Sequence, residues 1–300
     1  NSFTTIMITA IILSKDRAAQ LHLLLESIQK TNTNLFDIKV IYESSNDVFE
    51  EGYKKTQAHF FLKDKYGLNF PIRWYKREEE TLSLDILKRI NRKRDLTCIL
   101  SDEDIFFSRC PSFKKIITLF RNHDITALSF RLGSNTVIQN PYSINEYFVD
   151  KPDSSEIVDE TFIKWDASDV KPFTNFAMPL SNHGHVYTSK LLDYVLRRTK
   201  IGDIEGFEYG LQQNLYSGLF HGDIPPSMAC LEESVLITNS AFKVSDAEPS
   251  QFGTTDFGLN DRYLSGMKID YNFFKFKGVS KPFQQFITRF KREDNLQYSR

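Results

Sequence analysis

The sequence predicts an α/β protein built on a mostly parallel sheet, and three observations carry that prediction. Residues 5 to 14, TIMITAIILS, form a continuous apolar run rich in Ile, the pattern of a strand buried on both faces. Apolar residues then recur at helical spacing, at Leu21, Leu24, Leu25 and Ile28, before TNTN closes the segment. The strand-then-helix alternation repeats as far as residue 132, and strands alternating with helices of about a dozen residues indicate βαβ units.

Taken in order, DIKVIYESSND is a second strand closing in polar residues, and VFEEGYKKTQAHFF a second helix. PIRWYKR is a third strand, and TLSLDILKRINRKRD a helix capped by Thr81 or Ser83. TCILSDED is the fourth strand, SFKKIITLFRNH the next helix and ITALSFRLG the fifth strand. Beyond residue 133 the alternation fails. SNTVIQNPYSINEYFVDKPDSSEIVDE is polar and turn-rich, the character of a long functional loop. SKLLDYVLRRTK and GFEYGLQQNLYSGLF then read as helices and ESVLITNSAF as a strand. The expected organisation is therefore a nucleotide-type α/β layer over 1–132, a region over 133–272 that completes a cleft within the same domain, and an aromatic, basic segment over 273–300.

Composition narrows the function. The 300 residues are 41% apolar and 26% charged, enough for one substantial core. A net charge of −1 gives no global basic field, which argues against nucleic acid as partner. Cys98, Cys110 and Cys230 are far apart and odd in number, so neither a disulfide framework nor a zinc site is indicated, and a reducing, cytoplasmic compartment follows. IMITAIILS is about half the length that crosses a bilayer, so it is read as a core strand. The chain opens on Asn1 rather than Met, which leaves an upstream targeting segment open.

The polar residues gather at the expected carboxyl ends of the strands, where open α/β sheets bind ligands. Strand one ends in Ser14, Lys15, Asp16 and Arg17, strand two in Glu43 to Asp47, and strand four in Asp102, Glu103 and Asp104. Residues two apart on extended backbone face one side, so Asp102 and Asp104 are expected to point at one ion while Glu103 turns away. Two hard carboxylates suit Mg²⁺ or Mn²⁺ shared with substrate phosphates. The competing reading is a solvated turn.

An apolar strand ending in Asp102-x-Asp104, preceded by the IILSKDR strand, its helix and an acid-ended second strand, resembles the nucleotide-sugar glycosyltransferases of the GT-A fold, near the family-2-like members. The resemblance covers roughly residues 5 to 132 and the remainder only loosely. It implies that Asp102 and Asp104 hold a metal, Mn²⁺ or Mg²⁺, against the donor's diphosphate. It also implies that Ser14 and Arg17 meet the nucleotide and that Glu43 recognises base or ribose. The implied donor is a nucleotide sugar, a UDP-sugar first, and the acceptor a glycan or lipid-linked hydroxyl. Glu43 stands where Asp is commoner, and YESSND lacks the family's usual glycine, so base identity is open. Inverting members draw a general base from an acid near the start of a later helix. Here GDIEGFEYGLQQ offers Asp203, Glu205 and Glu208, with Glu205 preferred and Glu208 next, although the family's paired Glu-Asp is absent. Singly, each of the three also reads as a first-turn helix acid.

Two rivals remain. A sugar nucleotidyltransferase is expected to carry a Gly-rich phosphate loop after the first strand, and LSKDRAAQ has no glycine. A non-enzymatic carbohydrate-binding protein needs no nucleotide pocket. His183 and His185 read as a structural loop that could also meet metal or acceptor, and Trp74 and Trp165 as packing residues. Phe283, Phe286, Ile287 and Phe290 fall at helical spacing among Lys281, Arg289, Lys291 and Arg292. That pattern predicts a C-terminal amphipathic helix, either packed on the domain or lying peripherally on the inner membrane face.

Overall fold

The structure is a computed structural model and describes residues 7–63, 71–91, 95–139, 147–148, 152–171, 174–220, 223–225, 227–239, 255–284 and 286–293. Parts of the long polar loop after residue 133, and the end of the strand expected over ESVLITNSAF, lie outside the described residues.

The first half follows the expected alternation: β1 (Ile8–Lys15), α1 (Ala18–Thr31), β2 (Phe36–Glu43), α2 (Asp47–Lys63), β3 (Ile72–Lys76), α3 (Leu82–Arg89), β4 (Leu96–Ser101), a short β5 (Asp104–Phe106), α4 (Phe113–Asn122) and β6 (Ala127–Ser129). Thr81 caps α3 by accepting from the Leu84 amide, and Ser112 caps α4 by accepting from that of Lys115. β1 is buried on both faces. Ile8, Ala10 and Ile12 join one apolar cluster with α1, while Ile11 and Leu13 join a second with α3 and α5 (Ser189–Arg198). The alternation of side chains along a strand produces that division.

The second half adds β7 (Ile138–Gln139) and β8 (Tyr147–Phe148), which pair with each other, then β9 (Glu156–Val158), β10 (Phe162–Asp166) and β11 (His185–Thr188). After α5 come α6 (Phe207–Tyr216), β12 (Ser227–Leu231), β13 (Leu236–Thr238), α7 (Asp256–Leu264), β14 (Met267–Ile269) and β15 (Phe290–Arg292). Nine strands make one sheet in the order β3-β2-β1-β4-β11-β6-β12-β10-β9. The neighbours β3, β2, β1 and β4 are parallel, as are β6 and β12, whereas β11 and β10 run against the rest. The protein is thus a mixed α/β fold with a large, mostly parallel sheet flanked by helices, consistent with a GT-A, Rossmann-like arrangement.

Two sequence expectations are corrected. His185, read with His183 as part of a structural loop, instead begins a buried central strand: β11 sits between β4 and β6. The amphipathic helix expected from Phe283 is not formed among the described residues; Phe283 makes an isolated bridge with Thr238, and Phe290 begins β15, paired with β14. The aromatic rings pack on the domain instead. Phe276 stacks on Phe107 at 5.3 Å between centroids, and Phe286 meets Phe274 edge-on at 5.6 Å. Trp165 is buried and donates Nε1–H to the Phe176 carbonyl at 2.8 Å, a packing residue as read. No helix among the described residues is long and apolar enough to cross a membrane.

Candidate active site

The carboxyl ends of β1, β2 and β4 lie side by side, and three groups of charged side chains meet there. The first surrounds Arg17. Its guanidinium lies 3.0 Å from Glu103, 3.3 Å from Asp256 and 3.7 Å from Asp102, so three carboxylates share one guanidinium. Asp256 arrives on the first turn of α7, whose Thr255 cap accepts from the Gly258 amide. A hydrogen-bond chain fixes the floor: the Arg17 amide donates to Tyr53 Oη at 3.1 Å, and Tyr53 Oη and Ser14 Oγ are 2.8 Å apart. Burial pushes the Asp102 carboxyl up to about 7 despite Arg17, and burial likewise raises Asp256 to about 7. Gln20 Nε2 adds a hydrogen bond to Asp256 at 3.2 Å.

The second group is built on Asp104. Because 102 and 103 form a turn between β4 and β5, the pair does not share a face in the extended manner expected. Glu103 joins Asp102 at Arg17 rather than turning away, and Asp104 points elsewhere. Its Oδ2 accepts from the Ser101 amide at 2.9 Å, while its Oδ1 accepts from Thr238 Oγ1 at 2.7 Å and meets His183 Nδ1 at 3.1 Å. The antiparallel pairing of β13 with β5 sets Thr238 opposite Asp104. His183 Nε2 lies 3.7 Å from Glu208 Oε2, and Glu208 Oε1 accepts from Ser181 Oγ. Burial opposes charge on His183, but Asp104 and Glu208 outweigh it and hold its pKa above the ordinary value. His185 does not join it. Gly184 between them has φ of +71°, which breaks the extended run, and His185 is buried beside Pro179 with its pKa well below the ordinary value.

The third group is more exposed. Glu43 pairs with Arg77 at 2.6 Å and lies 3.9 Å from Lys15, which reaches Glu205 at 3.1 Å. Asp16, with φ of 58°, ties the ends of β1 and β2 by accepting from the Ser45 amide at 2.7 Å and donating its own amide to the Glu43 carbonyl. Asp203 accepts from the Gly206 amide at 2.6 Å and so shapes the entry to α6.

Ser14, Arg17 and Asp102 therefore stand in one cluster, Asp104 and Glu208 in a second joined through His183, and Glu43 and Glu205 in a third joined through Lys15. Sequence reading missed Asp256 and the partnership of His183. Asp256 is distant in sequence from every strand end, and only α7 brings it to Arg17.

A metal at Asp102 is consistent with these residues. Asp102 Oδ2 is buried and has no hydrogen-bond partner among the described residues, which is costly unless a cation satisfies it. The surrounding donors are hard carboxylates. Asp104 offers less, since both of its oxygens already accept hydrogen bonds.

No family model and no curated protein matches the chain. Among solved structures it is similar to Staphylococcus aureus TarS 1–349, at 11% identity and a TM-score of 0.43, covering 77% of this chain and 59% of that one. It is also similar to a mannosyltransferase from Pyrobaculum calidifontis in complex with GDP-Man and Mn²⁺, at 11% identity and a TM-score of 0.30, over 41% of this chain and 34% of that one. A third is 4-diphosphocytidyl-2C-methyl-D-erythritol synthase from Anaerococcus prevotii, at 16% identity and a TM-score of 0.39, over 88% and 100% of the two chains. The chain thus spans 59% and 34% of the length of the first two.

Proposed function

We propose that the protein is a metal-dependent glycosyltransferase moving a sugar from a nucleotide-sugar donor to a hydroxyl acceptor. The observation that carries this reading is the buried acid cluster at the strand ends, with Asp102 Oδ2 lacking a hydrogen-bond partner among the described residues. Asp102 holds Mn²⁺ or Mg²⁺ in this reading, with Glu103 and Asp256 adding negative charge around it. The ion, when bound, supplies Lewis-acid stabilisation of charge on the leaving diphosphate. Arg17 sets a cation beside the same phosphates, and Tyr53, bonded to Ser14, holds the Arg17 backbone amide. Glu43 and Lys15 line the nucleotide side.

Glu208 is the better base of the three acids. Its side chain is 14% exposed and faces His183, whereas that of Glu205 is 62% exposed and spent on Lys15. Glu208 takes the acceptor proton as the acceptor oxygen bonds the anomeric carbon, and the bond to the diphosphate breaks with its electron pair leaving on the nucleoside diphosphate. Asp104 holds His183 so that its other nitrogen faces Glu208. A UDP-sugar donor and a glycan or lipid-linked acceptor complete the reading.

The test is a panel of nucleotide sugars read by released nucleoside diphosphate, with a parallel arm of sugar 1-phosphate and nucleoside triphosphate read by pyrophosphate. Diphosphate release that needs Mn²⁺ or Mg²⁺ and is lost in Asp102→Asn supports the proposal. Pyrophosphate release alone makes the protein a nucleotidyltransferase, and full activity in chelator removes the metal from the mechanism.

A further inference from the structure

We infer that His22, His59 and Glu293 form a second cation site, for a divalent transition metal of the zinc class. Among the described residues they are the cluster whose three ligand atoms, two imidazole nitrogens and a carboxylate oxygen, all lie within 4.8 Å of one another. None belongs to the acid clusters at the strand ends. His22 comes from α1, His59 from α2, and Glu293 directly follows β15.

The surrounding hydrogen bonds set the protonation such a site needs. A hydroxyl has one proton to give. Thr56 Oγ1 donates its proton to the Gly52 carbonyl at 3.1 Å, so in its 2.9 Å contact with Tyr263 it accepts. The Tyr263 proton is thereby committed, and in its 2.8 Å contact with His22 Nδ1 the phenol oxygen accepts in turn. His22 carries its proton on Nδ1 and its lone pair on Nε2, the form in which histidine ligates a metal with its other nitrogen anchored.

Glu293 supplies the independent observation. Its Oε2 is held by Lys55 Nζ at 2.8 Å, but Oε1 is buried, has no hydrogen-bond partner among the described residues and lies 3.8 Å from His59 Nδ1. A buried carboxylate oxygen left in this state is costly; a cation held between it and two imidazoles removes the cost. Two nitrogens and one carboxylate with an open position favour Zn²⁺, Co²⁺ or Fe²⁺ over Mg²⁺ or Ca²⁺. The ion clamps the chain after β15 to the α1–α2 pair.

The experiment is a Co²⁺ titration of the full chain, stripped of metal, followed by visible ligand-field absorption, with Zn²⁺ thermal melts beside it. We expect one equivalent to saturate the absorption, Zn²⁺ to raise Tm, and His59→Gln and Glu293→Gln each to weaken Co²⁺ binding by at least about ten-fold. Asp102→Asn should leave the absorption unchanged, which separates this site from the donor site. Both ligand substitutions fall on partly exposed side chains, and circular dichroism checks that they fold. No band with wild-type protein at millimolar Co²⁺, or undiminished wild-type affinity in both ligand variants, overturns the site.

Discussion

Glu208 and Glu205 differ by three positions but occupy different chemical settings, and that difference can be measured. Glu208→Gln keeps the shape and the Ser181 contact yet cannot take a proton, so kcat should fall by about 10²- to 10⁴-fold with donor KM little changed. Glu205→Gln breaks only an exposed pair with Lys15 and should leave kcat within a few-fold. Equal losses in both would move the base elsewhere. At this scale the sequence was legible where local spacing decided the outcome: Ser14, Arg17 and Asp102 converge because they end adjacent parallel strands. It was illegible where a turn or a distant segment decided it. The Asp102 to Asp104 turn split the expected pair, and Asp256 reached Arg17 from 239 residues along the chain.

Elements tell a similar story. β11 escaped sequence reading because it is four residues long, begins at a histidine and follows a polar run, whereas its central place comes from pairing with β4 and β6 and from apolar clusters on both of its faces. Gly184 sets its start. A Cβ there would meet Leu236 Cδ1 at 3.0 Å on backbone with φ of +71°. Gly184→Ala should therefore destabilise the fold by about 1–3 kcal/mol and disturb the His183 to Asp104 contact, seen as a lower denaturant midpoint together with reduced kcat. The C-terminal rings were misread for the opposite reason. Their helical spacing is real, but Phe283 is claimed by His183 and Arg131, at 5.4 Å and 4.2 Å, and Phe286 by Phe274 and Phe276, and no helix forms there among the described residues. Phe276→Ala should cost about 2–4 kcal/mol, measured by urea unfolding; a loss under about 0.5 kcal/mol, the range of surface substitutions, would show that the rings do not hold the segment down.

Across the whole molecule, α1 and the C-terminal strands are bound by Glu26, which meets Lys268 at 3.1 Å and Lys30 at 3.1 Å. Burial raises the Glu26 carboxyl, but the two lysines outweigh it and hold its pKa below the ordinary 4.5. A depressed carboxylate stabilises the fold fully above its unfolded pKa and loses that contribution as pH falls through the folded one. Urea midpoints of wild type should therefore drop on acidification below about 4.5, and the Glu26→Gln variant should drop less over that window. Parallel slopes would remove Glu26 from the acid response. The order of strands in the sheet has a different consequence, for synthesis. The β4 edge is filled by residues 185 to 188, so on the ribosome it stays open until those residues emerge. At roughly 5–20 residues per second, that interval lasts several seconds. Throughout it a strand that is wholly buried in the finished fold leaves one edge of backbone amides and carbonyls open to any neighbouring chain.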